Sequence, residues 1–306
     1  MLLTYAALAS HIPTFLAFTG LYPEECMRLL LDFDLAWHTY ECERLIDSCP
    51  RCRRPGGGRK PKLASIEAKL LFILVHVKLY PLQVMVGFLF GLRQSQANVW
   101  LHTLTPILRD ALGRGKLLPE RDGSRLAAVL EATEEIVVLL DGVERPKQRP
   151  TDPEQQRADY SGKKKGHRRK NIVVTTSRQR RVNYLSDTVE GRRHDKPIAD
   201  QSHLTFPDDI TLAQDSGLQG YCPSNVRICQ PQKKPRGQEL SSADKARNPL
   251  IARLRVRIEH VIAGIKRSRI VKDLFRNTKA DYDDLVMEVA CGLHNLRAEC
   301  RHWDSL

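Results

Sequence analysis

Three acidic residues stand where a carboxylate can do more than solubilise a surface. Asp141 follows a continuous apolar run rich in β-branched residues, 136–140, and precedes Gly142. Asp215 follows a short apolar run, residues 210–214, and precedes Ser216-Gly217. Glu259 lies in "LIARLRVRIEHVIAGIKR", between Arg255 and Lys266. A carboxylate at the C-terminal end of a buried strand sits where open sheets place their chemistry. Two or three carboxylates brought together repel one another, and their pKa values rise unless a cation neutralises them. A pair of Mg²⁺ or Mn²⁺ ions would do so, because hard cations prefer carboxylate oxygen. Two such ions roughly 4 Å apart can activate a water or hydroxyl nucleophile and stabilise the leaving oxygen of a phosphodiester. Taken singly, two of these acids also have a plainer reading. Asp215 suits a turn before a glycine, and Arg255, Glu259 and Lys266 suit a surface ion-pair ladder.

The elements that must position these acids are readable from periodicity. Asn248 can cap a helix over 250–267, with Pro249 at its first position. Leu250, Leu254, Ile258, Val261, Ile262 and Ile265 form its apolar stripe, and Arg255, Glu259 and Lys266 lie along a second line beside it. Upstream, residues 136–140 read as a buried strand, 143–162 as a Pro-rich loop, and "KNIVVTT" and "RVNYLSDTV" as two strands joined by a turn at 178–180. Asp195, in the pair His194-Asp195, is a plausible cap for the next helix. Residues 210–214 form a further short strand, 223–248 are irregular, and a last helix over 281–301 is capped by Asp281, with Leu285, Val289, Leu293 and Leu296 inward. The second half therefore reads strand, strand, strand, helix, strand, helix, helix.

The first half is helical. Residues 1–48 read as short helices that pack on the next helical segment. Residues 49–62, "CPRCRRPGGGRKPK", form a basic Gly/Pro linker that either lies along a phosphate backbone or is simply solvated. Cys49-x-x-Cys52, with His38 and Cys42 upstream, invites a zinc site, but a second pair is missing and ordinary thiols fit better. Residues 63–125 hold a helix ended by Pro81, a short helix stopped at Gly91, and a third helix with Pro106 inside it. A short helix, a Gly-containing turn and a helix opening with small polar residues is the helix-turn-helix plan. The third helix would turn Ser95, Gln96, Asn98 and His102 outward, and Gln and Asn suit adenine edges in the major groove.

Charge points the same way. Of 306 residues, 49 are Lys or Arg and 36 are Asp or Glu, a net charge of +13 that favours a polyanionic partner. Between Ser161 and Ser186 there is no acid, yet Lys163, Lys164, Lys165, Arg168, Arg169, Lys170, Arg178, Arg180 and Arg181 crowd together. Phosphates nearby explain such a run better than solvation alone. The most apolar run, 70–80, is too short to span a membrane, no signal peptide is apparent, and the scattered cysteines fit reduced thiols. A cytoplasmic location is the expectation.

These residues resemble a known family, the DDE transposases of bacterial insertion sequences, on the branch related to the Harbinger elements. The resemblance is carried by "LLDGVERP", "YSGKKKGHRRKN", "GRRHDK", "AQDSGLQGY", Arg255-x3-Glu259-x6-Lys266 and "ACGLHNLR", in that order, and by "FLFGLRQSQANVWLH" in the first half. It implies an α/β fold: a ribonuclease-H-like mixed sheet flanked by helices over 130–303, preceded by the all-α helix-turn-helix domain. It makes Asp141, Asp215 and Glu259 the catalytic acids and the ligands of Mg²⁺ or Mn²⁺, with two ions expected. Asp195 is an accessory ligand, or an alternative to Asp215 as the second core acid. Arg255 and Lys266 would touch DNA phosphate, alongside Lys163, Lys164, Lys165, Arg168, Arg169 and Lys170. The implied activity is metal-dependent cleavage at the terminal inverted repeats of an element, followed by strand transfer into target double-stranded DNA, by at least a dimer. A silent DNA-binding derivative and a metal-dependent endonuclease without strand transfer are the alternatives. Ala252 and Leu218 stand where the family more often has aromatic residues.

Overall fold

The computed structural model describes residues 2–46, 61–234, 237 and 239–301, so Cys49, Cys52 and most of the basic linker lie outside the described residues. The chain divides into two compact units. The first takes residues 1–118, 267–270 and 285–300, and the second takes 119–266 and 271–284, together with the chain end.

The first unit is all-helical. It begins with α1 (Tyr5–Ala9), α2 (Ile12–Thr19) and the long α3 (Pro23–Ile46), followed by α4 (Ile66–Leu79), α5 (Gln83–Leu89) and α6 (Gln94–Arg114). Ser65 caps α4 by accepting from the Ala68 N–H, and Tyr80, in the left-handed region at φ 48°, ends it before Pro81. Residues 69–77 of α4 are all buried. An apolar surface on every side of a helix demands this central position. The expected helix-turn-helix pair is α5 and α6. Gly91 at φ 67° makes the turn between them. Gly87 lets the backbone close up, since a Cβ there would stand 2.9 Å from the Leu92 carbonyl oxygen.

The second unit is α/β. Its elements are α7 (Leu126–Glu131), β1 (Val137–Pro146), α8 (Pro153–Asp159), β2 (Tyr160–Ser161), β3 (Gly166–Thr176), β4 (Val182–Leu185), β5 (Val189–Glu190), α9 (Asp195–Gln201), β6 (Ile210–Gln214), β7 (Val226–Cys229), α10 (Ser242–Ile265) and α11 (Arg269–Lys272). The last helix, α12 (Tyr282–Cys300), starts in this unit and continues in the first. One sheet runs β2-β3-β1-β6-β7, with β4 and β5 also paired to β3. β1 and β3 are antiparallel, while β1, β6 and β7 are parallel to one another. Val138, Leu140, Ile172, Val174 and Leu212 pack on one face with Leu126, Leu130, Ile198 and Ala199. Leu139 and Ala213 pack on the other face against Ile258, Leu254 and Ile262 of α10. With both faces covered, the central strand must be a continuous apolar run, as residues 137–140 are.

Four elements depart from the sequence reading. β1 does not stop at Asp141 but runs on to Pro146, because β3 pairs with it antiparallel from Val138 to Pro146 and gives its polar residues a ladder. The Pro-rich stretch after it contains α8, capped by Asp152. The segment 223–248 contains β7, a short parallel edge strand whose apolar residues are too few to announce it. Finally, α10 begins at Ser242, not after Asn248. Ser241 accepts from the Asp244 N–H as its cap, Pro249 lies inside the helix, and Asn248 bonds the Gln232 backbone through both its oxygen and its amide at 3.0 Å. Leu250 accordingly stays exposed rather than joining the buried stripe.

Candidate active site

The strand register brings two of the three acids together. The parallel pairing of β1 with β6 ends at Leu140 opposite Gln214. The next residues on the two strands are Asp141 and Asp215. β1 continues along β3, while β6 ends and the chain turns into the single 3-10 turn Ser216–Leu218. Arg255, reaching in from α10, stands between the two carboxylates. Its guanidinium is 3.1 Å from an oxygen of Asp215 and 3.6 Å from one of Asp141. All three side chains are at least partly withdrawn from solvent.

Asp195 comes from the opposite face of the sheet, as the first residue of α9. Its carboxylate lies over Gly142, where a Cβ would meet its carboxyl carbon at 2.8 Å and its two oxygens at 2.9 and 3.0 Å. A point above Gly217 is 3.5 Å from Asp195 Oδ2 and 3.8 Å from Asp215 Oδ2, so these two carboxylates flank one small space. Gly142 is therefore needed for close approach rather than for backbone conformation, whereas a Cβ at Gly217 would make only ordinary van der Waals contact. Lys170 of β3, itself buried, holds Asp195 in place. Its ammonium is 3.3 Å from Asp195 Oδ1 and 3.2 Å from Glu144 Oε1, and donates to the Arg193 carbonyl at 2.8 Å.

The crowding shows in Asp141. Burial pushes its carboxyl up to about 6, and Asp215 and Asp195 push the same way, against the Gly142 N–H that donates to it at 2.8 Å and the Arg255 guanidinium. An oxygen-only donor set that already gathers round one cationic group fits a hard divalent cation. Glu259, one turn beyond Arg255, is exposed, with no contact to Asp141, Asp195 or Asp215 among the described residues. Nor, among the described residues, do three or more His, Cys, Asp or Glu side chains stand close enough to hold a metal ion. The expected meeting of Asp141, Asp215 and Glu259 is thus present for two of the three. The acid that joins them is Asp195, and the α10 side chain that reaches them is Arg255.

The basic run is partly turned inward. Lys163, Lys164 and Lys165 are exposed in the turn between β2 and β3. Arg169 instead pairs with Asp283 at 2.8 Å and with the fully buried Asp159 at 3.2 Å, and Lys170 with Glu144 and Asp195. Their counter-ions come from residues far off in sequence, which is why the run looks unpaired when read along the chain. Lys266, at the C-terminal end of α10, is half-buried. Burial lowers its pKa, and Arg168 and Lys164 add to that by repulsion. It therefore stands in a basic cluster that an anion would relieve.

In the helical unit, Ser95 and Gln96 are exposed at the start of α6, as are Arg93 and Gln94 beside them. The Gln96 side chain also accepts from the Arg93 N–H at 3.0 Å, closing the helix start. Asn98 is engaged between the two helices, its oxygen accepting from Gln83 at 2.8 Å, and His102 is half-buried. The expected reading edge thus begins two residues earlier than the sequence pattern placed it.

Two outcomes are expected of this geometry. The Asp141 carboxyl binds its proton more tightly folded than unfolded, so its ionisation costs stability, beginning near pH 4 and in full above pH 6. Asp141→Asn removes that cost. In chelator, the variant should be more stable than the parent by about 3 kcal/mol at pH 7, with the difference gone below about pH 4; denaturant titrations across this range measure it. Gly142→Ala should displace the Asp195 carboxylate, a small group at the end of a short side chain, so the melting temperature should move by a few degrees at most while DNA cleavage falls by an order of magnitude or more. Unchanged cleavage would mean that the position of Asp195 is immaterial.

Comparison with known proteins agrees with this geometry. Residues 140–295, half of the chain, match the family model of the DDE superfamily endonucleases. Residues 61–114 match the model of the helix-turn-helix of DDE superfamily endonucleases. Over 238 residues the chain is 28% identical to a probable transposase for insertion sequence element IS702 of Microchaete diplosiphon, covering 78% of this chain and 82% of that protein. No solved structure matches it. The region that carries Asp141, Asp195, Asp215, Arg255 and Glu259 is the region the endonuclease model matches, and the helices ahead of it match that family's DNA-binding motif: the chain belongs to the DDE superfamily endonucleases.

Proposed function

We propose that the protein is the transposase of an insertion sequence, cutting DNA at the terminal inverted repeats of its element and joining the freed 3′-hydroxyls to target DNA at the same site. The observation that carries this reading is the side-by-side placement of Asp141 and Asp215 at the end of the β1–β6 pairing, around one cationic group. The sheet supports a ribonuclease-H-like fold, with an antiparallel β3–β1 pair continued by the parallel β6 and β7 and helices on both faces. The helix-turn-helix, with Ser95, Gln96 and the neighbouring Arg93 and Gln94, is the part that reads the repeat in the major groove. Among the described residues no helix is long and apolar enough to cross a membrane. A cytoplasmic protein working on the nucleoid fits this function.

Divalent ions are what the family generally uses. Asp141, Asp215 and Glu259 would hold Mg²⁺ or Mn²⁺, two ions in this reading, with Asp195 as a further ligand, and the ions would activate the attacking oxygen and stabilise the leaving one. Around them the chain's own residues bind and orient. Gly142 leaves room for the Asp195 carboxylate, and Lys170 aims Asp195 at it. Arg255 moves its charge from the carboxylates to the scissile phosphate, and Lys266 with Arg168 and Lys164 receives the neighbouring backbone. Exposed Lys163 and Lys165 extend that track. Glu259 lies on the same helix as Arg255, one turn away. Joining two ends calls for at least two copies in the active complex.

The test is an incubation of the protein with Mg²⁺ or Mn²⁺ and DNA carrying its flanking repeats. Nicking with a joined product is the expected outcome. Nicking alone would make the protein an endonuclease without strand transfer, and a shifted but uncut DNA would make it a silent binder. Asp141→Asn, Asp215→Asn and Glu259→Gln should each lower cleavage by at least about a thousand-fold while leaving repeat binding intact. Cleavage that survives Glu259→Gln but not Asp195→Asn would make Asp195 the third acid.

A further inference from the structure

In the second unit, toward the Pro146 end of β1, lies a groove that neither the acid chemistry nor the helix-turn-helix uses. It has a volume of about 770 Å³ and is lined by Arg149, Gln156, Arg157, Tyr160, His167 and Arg192. That is within the roughly 300–1,000 Å³ of ordinary ligand sites. No acid lines it, and none of the three arginines makes an ion pair among the described residues. Arg149 is held in a fork on the Gln156 side-chain oxygen at 3.0 and 2.8 Å, which fixes its guanidinium at the rim. Tyr160 is 45% exposed, an unusual position for a tyrosine on a two-residue strand, and its ring meets His167 edge-on at 5.8 Å.

The groove is rigidly built. The Arg192 N–H donates to the Ala158 carbonyl at 3.0 Å. Gly191 is pressed so tightly that a Cβ would stand 2.7 Å from the Asp159 carbonyl oxygen and 2.6 Å from that of Arg168. Asp159, fully buried, pins the end of α8 through Lys147 at 3.4 Å and Arg169 at 3.2 Å. Three residues after Arg192 the chain reaches Asp195. His167, at the Tyr160 end of the groove, lies six residues along β3 from Val173, the partner of Asp141, so roughly 20 Å separates it from the acids, a distance a DNA strand covers in several nucleotides.

We propose that the groove takes an unpaired nucleotide of the DNA substrate, its base stacked on the Tyr160 ring and its phosphates against Arg149, Arg157 and Arg192. The chemistry fits a single strand better than a duplex. Exposed aromatic faces reward bases that are free to stack, whereas a continuous duplex offers only its phosphates. The site would tolerate any base, because every base has a face to stack and no side chain here is placed to read an edge. It gives the endonuclease a means of holding a frayed or flanking strand while a phosphodiester several nucleotides away lies at the acids. This inference rests on the reading of the protein as a DNA-cutting transposase.

The test compares two fluorescent DNAs of one sequence, a blunt duplex and the same duplex with a short single-stranded overhang carrying 2-aminopurine, bound to the full chain in Ca²⁺ so that no cutting occurs. The parent should prefer the overhang DNA and quench 2-aminopurine. Tyr160→Ala should lose roughly ten-fold in affinity for the overhang DNA, and the quenching with it, with blunt binding unchanged; Tyr160→Phe should restore both. Arg192→Ala should weaken overhang binding and flatten its salt dependence. If the parent binds both DNAs equally and Tyr160→Ala changes neither, the groove is not a nucleotide site although the protein still binds DNA. The groove is equally ruled out as a nucleotide site if Tyr160→Ala weakens both DNAs alike. Failure of the parent to bind either DNA would remove the transposase reading along with this one.

Discussion

Two carboxylates cannot both stay ionised side by side at the ends of two parallel strands without a positive charge between them. The β1–β6 register forces Asp141 and Asp215 into that position, and burial of Asp141 sharpens the repulsion. Much of the second unit serves this single electrostatic demand. α10 packs Ile258 against Leu139 and Ala213 and so delivers Arg255 to the acids from one face. α9 packs Ile198 and Ala199 on the other face and delivers Asp195. Gly142, directly after Asp141, leaves the room into which the Asp195 carboxylate fits. An arrangement that concentrates negative charge and then answers it with a replaceable cation is poised for divalent-ion chemistry.

A second layer of charge holds the first. Lys170 is neither a surface cation nor a phosphate contact in this structure; it ties Asp195 and Glu144 to the backbone at Arg193. Arg169 does the same for Asp159 and Asp283. Buried pairs of this kind add little to stability relative to apolar packing, yet losing one partner leaves an uncompensated charge. Their value here is positional: they fix the strand on which the basic turn 163–165 is mounted and the helix start that carries Asp195.

Much of this was legible in the sequence because the signals were local. The apolar run before Asp141-Gly142, the run before Asp215-Ser216-Gly217, the helix α10 and the pair α5–α6 each announce themselves within a dozen residues. What could not be read depended on partners distant in sequence. β1 continues past Asp141 only because β3 lies beside it. The acid-free stretch looked unpaired because its counter-ions are Asp283, Asp159, Glu144 and Asp195. Spacing put Arg255 and Glu259 on adjoining turns of one helix, but it could not say which of them faces the strand ends. The early start of α10 was masked by Asn248-Pro249, a convincing helix start that here serves a loop and a helix interior.

The central claim is that the space between Asp141 and Asp215 is a cation site in which the Arg255 guanidinium and a divalent ion compete. The direct measurement is a titration of the DNA-free protein with Mn²⁺, following free Mn²⁺ by electron paramagnetic resonance, for the parent and for Arg255→Gln. Removing the guanidinium should tighten Mn²⁺ binding by about ten-fold or more, and Asp215→Asn on top of it should abolish the gain. Mn²⁺ affinity that is unchanged or weaker in Arg255→Gln would contradict the account, because Arg255 would then be supporting the acids rather than standing in for the ion.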